Sequence, residues 1–353
     1  MFTPRFTISN AILKNIGQAE AAKEVIDNAP IVPDYERDFR TDAITRTVYH
    51  GTHIEGNDLT LEQTKQILEG QQIYGRDRDV QEVINYRNVV RVLSDMAQVD
   101  RQYDLTTLLE IHRVTVDRLV DSDKAGRLRS TQVVIKDEAT GKVILSPPSP
   151  IEVPRLVNEL FSWLNSSEAK GIHPILKAGI VHYVLVTIHP FVDGNGRTVR
   201  AFANLVMLRE GYDIKKFFAL EEHFDRDLNR YYEAFYEVDT QSSTIAERDL
   251  TPWLEYFTET VAVELTKIKE KVRKVSIDSR MRVKIGQQVS LSARQMKLIE
   301  YLSENNKAKM RELADVIPMI SEDTILRDLK DLQKKGIIEK EGSTKASRYV
   351  LRT

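Results

Sequence analysis

The residues with the clearest chemical potential lie between His189 and Arg200, in the segment HPFVDGNGRTVR. A glycine-rich turn, residues 193–196, separates a helix that Pro190 must end from a second helix that begins near Arg197. Such a turn leaves backbone N–H groups unpaired at the positive end of a helix dipole, which favours a bound phosphate. The segment therefore predicts an anion site at a helix N-terminus.

Four side chains of the same segment suit nucleotide chemistry. Arg197 and Arg200 are three residues apart, so they project from one face of the first helical turn and can both bind phosphate oxygens. Asp193 offers a carboxylate, and Mg²⁺ commonly uses one or two of these together with substrate phosphates. His189 has a reference pKa near neutrality, which suits a general base. Each residue alone is more often structural, but together they predict phosphoryl or nucleotidyl transfer.

Residues 189–200 resemble the motif of the Fic domain family, His-Pro-Phe-x-Asp/Glu-Gly-Asn-Gly-Arg-x-x-Arg, at every specified position. The resemblance extends over about residues 40–265, through segments that contain His112, Arg129, His182 and Tyr231. It implies transfer of AMP from ATP to a Tyr, Thr or Ser hydroxyl of target proteins, with release of pyrophosphate. Self-modification is a further outcome that it implies.

The resemblance also implies a role for each residue of the motif. His189 would accept the proton of the attacking hydroxyl, and Asp193 would hold Mg²⁺ at the α- and β-phosphates. Arg197 would bind the α- and β-phosphates, and Arg200 the γ-phosphate. Asp239 stands where many relatives have Asn near the adenine amino group. The ATP-binding residues that the resemblance implies are Gly194, Asn195, Gly196, Arg197, Arg200, Tyr231, Tyr232 and Asp239.

An inhibitory segment, residues 51–57, resembles the Ser/Thr-x-x-x-Glu-Gly/Asn motif that precedes the core in auto-inhibited Fic proteins. The resemblance implies that Glu55 pairs with Arg200 and so prevents productive ATP binding. Gly51 departs from the motif, which has a hydroxyl residue four places before the glutamate. Because glycine loosens a helix, the sequence predicts an inhibitory contact that is weaker or held differently.

A strand pair is predicted at residues 132–145, QVVIKDEATGKVIL, where two β-branched runs flank a turn at Gly141. This hairpin resembles the flap that docks target proteins in the family. The resemblance implies that Val133, Val134 and Ile135 pair with an extended segment of a target protein through main-chain hydrogen bonds. A purely structural hairpin is the alternative.

The rest of the chain up to about residue 275 has a helical pattern. This pattern predicts a mainly α fold class. The resemblance implies a Fic-type helical core with a small β-hairpin flap, and residues 289–353 add a C-terminal winged helix-turn-helix domain. The expected helices cover about 8–26, 42–95 with breaks at 50–58 and 70–78, 106–119, 152–166, 174–188, 197–210, 224–240 and 246–275.

Residues 289–353 follow the order helix, turn, helix and two short strands, which is typical of a winged helix-turn-helix. Ser321 is predicted to cap the candidate recognition helix, and Gly336 to end it. That helix mixes basic and acidic residues, so DNA binding and protein binding both stay open. The predicted domains are 1–95, an N-terminal helical region with the inhibitory motif; 96–264, the catalytic core; 265–288, a basic connector; and 289–353, the winged helix.

The 353 residues include 51 Lys and Arg and 53 Asp and Glu, a net charge of −2 that conceals an asymmetry. Residues 265–353 carry nine more basic than acidic residues, and the first 264 carry eleven more acidic than basic residues. A nucleic-acid-contacting appendage would show this difference. The chain has no cysteine, which excludes disulfides, thiolate metal sites and cysteine nucleophiles. The absence of a bilayer-spanning apolar run and of a signal-peptide pattern predicts a cytoplasmic protein without membrane contact.

The leading hypothesis is thus an auto-inhibited protein adenylyltransferase that uses ATP and Mg²⁺. One alternative is a nucleotide-sensing, DNA-binding transcriptional regulator. Another is removal of AMP by the same site, with Glu55 positioning a water molecule. The expected partners are a target protein at the flap hairpin, DNA at the C-terminal domain and a second copy in a homodimer, a state common in the family that the sequence does not decide.

Overall fold

The computed structural model describes residues 2–29, 31, 33–98, 101–136, 143–145, 147–214, 219–285, 291–317, 320–342 and 347–352. The chain divides into two compact units. The first comprises Met1–Asp27 and Arg37–Ile268, and the second comprises Asn28–Glu36 and Lys269–Thr353. Within the ranges that the structure describes, no helix combines the length and apolar character needed to cross a membrane.

Twelve helices among the described residues contribute to the first unit, and the last of them continues into the second. They are α1 (Asn10–Asn28), α2 (Pro33–His53), α3 (Leu61–Leu68), α4 (Asp77–Ala97), α5 (Leu105–Thr115), α6 (Val153–Leu164), α7 (Ser167–Lys170), α8 (Pro174–Ile188), α9 (Asn195–Arg209), α10 (Glu221–Arg226), α11 (Leu228–Asp239) and α12 (Thr251–Ile285). A short 3-10 turn, Ile245–Glu247, precedes α12.

The centre of the first unit is α8, in which almost every side chain from Ile175 to Ile188 is buried. Its sequence, PILKAGIVHYVLVTI, is apolar on all faces, as expected for a helix surrounded by other elements. α9 packs more extensively on α8 than any other helix does, and α4 and α5 pack against α9. The turn between α8 and α9, residues 189–194, is therefore fixed at both ends by the core.

The observed helices differ from the predicted pattern in several places. α2 begins at Pro33 rather than about 42, α5 ends at Thr115 rather than 119, and the short helix α7 was not predicted. α2 continues to His53 through the first part of the predicted break, and within it the Thr52 hydroxyl bonds the Val48 carbonyl at 3.0 Å. The helix predicted over 224–240 is two helices, because Asp227 leaves the helical conformation and caps α11 through the Arg230 N–H at 3.2 Å. α12, which was predicted over 246–275, begins at Thr251 and extends to Ile285.

The predicted strand pair is present as β1 (Ile135–Lys136) and β2 (Val143–Leu145), which are antiparallel with Ile135 opposite Leu145. The predicted turn at Gly141 lies outside the described residues. Val133 and Val134 precede β1, and the latter is 45% exposed. Val134 is thus an accessible residue directly before the strand pair.

The second unit contains a helix-turn-helix with a three-stranded antiparallel sheet, in the order β3-β5-β4. Its further elements are α13 (Ala293–Asn305), β3 (Lys307–Lys309), α14 (Met310–Asp315), α15 (Glu322–Lys334), β4 (Ile338–Glu341) and β5 (Arg348–Leu351). The predicted winged helix-turn-helix is confirmed, but β3 was missed because it has three residues and buries only Ala308.

The ends of α15 follow the sequence prediction in one case and not in the other. Gly336 has a φ of +69°, the left-handed conformation expected just after a helix. Ser321 occupies the N-cap position, but its side chain caps no backbone N–H. The Ser321 hydroxyl instead bonds the Thr324 hydroxyl at 3.0 Å, so the predicted side-chain cap is wrong.

Candidate active site

The turn between α8 and α9 is built by two left-handed residues and one side-chain clamp. His189 ends α8 with a φ of +50°, and Gly194 begins α9 with a φ of +72°. A Cβ atom on Gly194 would lie 2.5 Å from Val116, so only glycine fits there. The Asn195 amide closes the turn by accepting from the Phe191 N–H and donating to the Phe191 carbonyl, both at 2.8 Å.

This use of the Asn195 side chain limits its contribution to an anion site. Its amide bonds the Phe191 backbone at both ends. Of Asn195, only the backbone N–H at the start of α9 is therefore left to contact an anion. The N-cap of α9 is Gly194, which has no side chain to cap the helix, and the Gly194 N–H donates to Asp193 Oδ1 at 2.5 Å. The first turn of α9 therefore keeps the positive dipole end that the sequence predicts for a phosphate.

His189 is held as a neutral imidazole. Burial lowers its pKa to about 4, so the ring is uncharged at pH 7. Its Nδ1 atom is buried and has no hydrogen-bond partner among the described residues. The left-handed backbone of a non-glycine residue costs about 1–3 kcal/mol, a strain that commonly marks functional residues. The side chain predicted as general base is thus in the protonation state that this role needs.

Arg129, to which the sequence assigned no site role, fixes the backbone at His189. It is 3% exposed, and its Nε donates to the His189 carbonyl at 2.8 Å. Its guanidinium also donates to the carbonyls of Thr131 and Pro148, at 3.1 and 2.5 Å. These two residues flank the β1–β2 hairpin, so Arg129 connects the base of the flap with the catalytic turn. The family resemblance of the segment around Arg129 was the sequence signal that could have indicated this role.

His112 holds the other side of the same turn. Its ring stacks on Phe191 with a centroid distance of 3.7 Å and an interplanar angle of 3°. The Gly126 N–H donates to Nδ1 at 2.9 Å, so Nε2 carries the proton and donates to the Asp193 carbonyl at 3.0 Å. Burial lowers the pKa of His112 to about 4, which keeps this arrangement neutral at pH 7.

Asp193 and Arg197 belong to an ion-pair network that includes two residues of α4. Arg197 is 1% exposed and lies 3.1 Å from Glu82 Oε1 and 3.5 Å from Asp193 Oδ1. Arg78 bridges Glu82 at 3.2 Å and Asp193 at 3.0 Å. Burial opposes the charge of Asp193, but Arg197 and the Gly194 N–H hold the pKa of its carboxyl below the usual range. Glu82 and Arg78 lie far from the motif in sequence, and no sequence signal indicated them.

Glu55 and Arg200 are brought together as the sequence predicted. Arg200 Nη2 donates to Glu55 Oε1 at 2.8 Å and to the Gly51 carbonyl at 2.9 Å. Burial opposes the charge of Glu55, but Arg200 and Arg197 hold the pKa of its carboxyl below the usual range. A Cβ atom on Gly196 would lie 2.2 Å from Glu55 Oε1, so the carboxylate rests directly on the start of α9. An anion of this chain thus lies where the sequence predicts a phosphate.

The three residues assigned to adenine do not form one cluster of accessible groups. Tyr231 is 3% exposed, and its hydroxyl meets His182 Nε2 at 2.9 Å inside the aromatic core. Tyr232 is 53% exposed. Asp239 accepts from the Tyr183 hydroxyl at 2.5 Å and pairs with Arg248. Of the three, Tyr232 alone presents an exposed ring, and the Asp239 carboxylate is already partnered.

Two parts of the chain match models of known families. Residues 102–207 match the model of the Fic/DOC family. Residues 294–342 match the model of a DeoR-like helix-turn-helix domain. The first match contains the whole α8–α9 turn, and the second contains α14 and α15.

Among curated proteins, the chain is similar to the protein adenylyltransferase fic-1 of Caenorhabditis elegans, with 40% identity over 169 residues. The aligned residues cover 47% of this chain and 32% of the relative. It is also similar to the protein adenylyltransferase Fic of Drosophila grimshawi, with 33% identity over 178 residues, 50% of this chain and 35% of the relative. The chain therefore spans about a third of the length of these relatives.

Two solved structures share the architecture. A Fic family protein of Desulfovibrio desulfuricans G20 aligns with a TM-score of 0.63 at 24% identity, over 99% of this chain and 98% of that one, which shows a common fold. Fic-1 of Caenorhabditis elegans aligns with a TM-score of 0.58 at 27% identity, over 75% of this chain and 74% of that one.

Proposed function

We propose a function from one premise: this chain carries a Fic domain, at residues 102–207, and a DeoR-like helix-turn-helix domain, at residues 294–342. The proposed activity is transfer of AMP from ATP to a Tyr, Thr or Ser hydroxyl of a target protein, with this chain as a second acceptor. The curated relatives are named protein adenylyltransferases, which supports this activity for the part they share with the chain.

The observation that carries the proposal is the neutral, buried His189 beside the start of α9. His189 would accept the proton of the attacking hydroxyl as its oxygen bonds the α-phosphorus of ATP. The bond from the α-phosphorus to the bridging oxygen breaks, and pyrophosphate leaves. Arg129 and His112 position the turn through the carbonyls of His189 and Asp193 and do not contact substrate in this scheme.

The positive charge that such a transfer needs comes from α9. The N–H groups of its first turn, together with Arg197 and Arg200, would bind the triphosphate, as the family resemblance implies. Transfer of this type depends on alignment and charge neutralisation more than on covalent chemistry by the protein. Both arginines are held by carboxylates, Glu82 and Glu55, so the nucleotide must replace at least the second of these contacts.

Magnesium fits this site as an ion that binds together with its nucleotide. Across the described ranges, no group of three or more His, Cys, Asp or Glu residues is placed to hold a metal ion. Asp193 alone offers a carboxylate in the turn, and one carboxylate with phosphate oxygens is a set that Mg²⁺ commonly uses. Asp193 would hold the ion, which supplies further charge neutralisation at the phosphates, and Arg78 would have to release the Asp193 carboxylate.

We further propose that the chain is auto-inhibited by Glu55. Its carboxylate bonds Arg200 and occupies the space beside Gly196, so it competes for the same positive charge as a phosphate. Binding of the target protein is assigned to the flap segment at Val133, Val134 and Ile135, of which Val134 is 45% exposed. These assignments follow the family resemblance, and the contacts of Glu55 support the first of them.

The direct test is incubation of the purified chain with ATP and Mg²⁺, followed by intact-mass measurement. We expect addition of one or more AMP groups to the chain, and more of them in the Glu55→Gly variant. Labelled ATP with a cell extract and the same variant would then identify the target protein. If neither the chain nor any extract protein gains AMP from the variant, the proposed activity is wrong.

The pH dependence of the reaction should report the burial of His189. A base with a pKa of about 4 is neutral at every pH above roughly 5, so kcat/KM should stay level between pH 7 and pH 5. Below that range the ring gains a proton and kcat/KM should fall. A pH profile of AMP transfer measures this, with circular dichroism confirming that the chain stays folded. Half-maximal activity near 6.5, the ordinary histidine value, would contradict the assignment.

A second proposed function is DNA binding by the helix-turn-helix domain. It is favoured because two acidic residues of α15 are bonded to neighbours within the domain. Asp328 is 9% exposed and accepts from Arg294 Nε at 2.8 Å. Asp331 accepts from Gln295 at 2.7 Å and pairs with Lys335 at 2.6 Å. Two of the four acids of the recognition helix are therefore tied to neighbours within the domain. Its outer face carries Arg327, Lys330 and Lys334, all exposed.

The double variant Arg327→Ala/Lys330→Ala should weaken binding to duplex DNA. Because each phosphate contact releases about one counterion, the slope of log K against log salt should fall by roughly two. Gel shift or fluorescence anisotropy at several salt concentrations measures this, with the upstream region of the gene and a mixed-sequence duplex as probes. Lys297→Ala, which removes an exposed lysine from α13, is the matched control. Equal losses in both variants, or no binding at low salt, would contradict the proposal.

A further inference from the structure

Arg200 is restrained by two groups of the inhibitory segment, and they differ in kind. One is the Glu55 carboxylate at 2.8 Å, and the other is the backbone carbonyl of Gly51 at 2.9 Å. The guanidinium is 3% exposed, and its Nε has no hydrogen-bond partner among the described residues. A side-chain substitution at Glu55 removes the first contact and leaves the second in place.

The Gly51 carbonyl is available because α2 ends next to it. In a continuing helix the Glu55 N–H would donate to the Gly51 carbonyl, four residues back. The Glu55 N–H donates instead to the Thr52 carbonyl, at 3.0 Å. The Gly51 carbonyl thus belongs to the unpaired set at a helix C-terminus, where the negative end of the dipole favours a cation. Arg200 is the cation that the structure places there.

Tyr86 of α4 explains why this position is a glycine. A Cβ atom on Gly51 would lie 2.3 Å from Tyr86 Cε1 and 3.0 and 3.1 Å from two further ring atoms. The ring is 1% exposed, and its hydroxyl donates to Glu221 at 3.0 Å. This bond and the burial restrict movement of the ring away from Gly51. The hydroxyl residue of the family motif would need space that this ring fills. Gly51 lets α2 approach α4 closely enough for its carbonyl to reach Arg200.

We infer that the Gly51 carbonyl is a second inhibitory contact on Arg200, independent of the Glu55 side chain, and that Tyr86 is the residue that positions it. The inference rests on the proposed function to the extent that Arg200 binds the γ-phosphate. From Gly51, the sequence predicted an inhibitory contact that is weaker or held differently, and the contact with the Gly51 carbonyl supports the second alternative.

The test compares affinities for ATP and ADP, because a freed Arg200 gains only with the γ-phosphate. All variants carry His189→Ala, so that ATP is not consumed during calorimetry. Adding Gly51→Ala to Glu55→Gly should raise the preference for ATP over ADP by roughly tenfold, as expected for one hydrogen bond to a charged group. The matched control adds Gly17→Ala, where a Cβ atom meets nothing within 4 Å, and should leave the preference unchanged.

Rescue separates this contact from general damage to α2. Leucine is shorter than tyrosine where Cε1 lies, so adding Tyr86→Leu should make room for the new methyl group. Because Tyr86 also interacts with Arg200, the ATP preference should return to that of Glu55→Gly/Tyr86→Leu, the reference variant that lacks this interaction too. An unchanged preference on adding Gly51→Ala, at an unchanged melting temperature, would overturn the inference. A preference that stays high after Tyr86→Leu would overturn the role of Tyr86. AMP transfer is assayed separately with His189 intact, and its absence there counts against the proposed function alone.

Discussion

The His189→Ala variant should lose AMP transfer by roughly 10²–10⁴-fold while ATP binding stays largely intact. The His189 imidazole is a neutral, buried base at the start of α9, and its Nδ1 has no hydrogen-bond partner among the described residues. The ion pairs of Arg197 with Glu82 and of Arg200 with Glu55 do not include His189, so the anion site should survive its removal. Radiolabel transfer from ATP and calorimetric ATP binding measure the two quantities.

A second substitution guards against a trivial loss of structure. Asparagine tolerates the left-handed backbone observed at position 189 but offers no basic nitrogen. His189→Asn should therefore keep the melting temperature of the parent and show the same loss of transfer as His189→Ala. Full activity in either variant would remove His189 as the base. Loss of ATP binding in both would instead indicate a structural role for the turn.

The Glu55→Gly variant should raise AMP transfer by at least about tenfold, since it removes a charge-assisted contact from Arg200 and empties the space beside Gly196. The gain should be in ATP affinity as well as in rate, because the carboxylate and a phosphate compete for the same arginine. Transfer from labelled ATP to the chain itself, measured over a range of ATP concentrations, gives both quantities.

Two further variants test whether the effect comes from the charge of Glu55 in particular. Glu55→Gln keeps the size of the side chain and removes its charge, so transfer should lie between the parent and Glu55→Gly. Glu62→Gln changes an exposed glutamate at the start of α3 and should have no effect. Incorporation that is the same in Glu55→Gly and in the parent would mean that Glu55 does not inhibit.

The elements that carry the site were predictable because their local signals are strong. Pro190 and the glycines at 194 and 196 set the boundary between α8 and α9 within two residues of its observed place. α8 was predicted at its observed bounds, 174–188, and Gly336 identified the end of α15. The Glu55–Arg200 pair was predicted across 145 residues only because both ends resemble motifs of one family.

What the sequence did not predict depends on contacts between distant segments. Nothing local in α4 marks Glu82 as a partner of Arg197, or Tyr86 as the ring against Gly51. Asn195 was expected to bind phosphate, but its amide satisfies backbone groups of a turn whose geometry no propensity encodes. β3 was missed for a local reason. Three residues with one buried alanine are too few to show the alternation of a strand.

The placement of Glu55 against Gly196 makes the carboxylate a tethered ligand of its own protein. A tethered group has an effective concentration that the connecting chain fixes, of order millimolar for short linkers. Dilution and dialysis do not lower that concentration, and added protein does not raise it. Under the proposed function, the threshold at which nucleotide displaces the carboxylate is therefore a property of the fold, set by how firmly α2 and the residues after it are held. ATP level, and not the amount of this protein, would then decide how much of it is active.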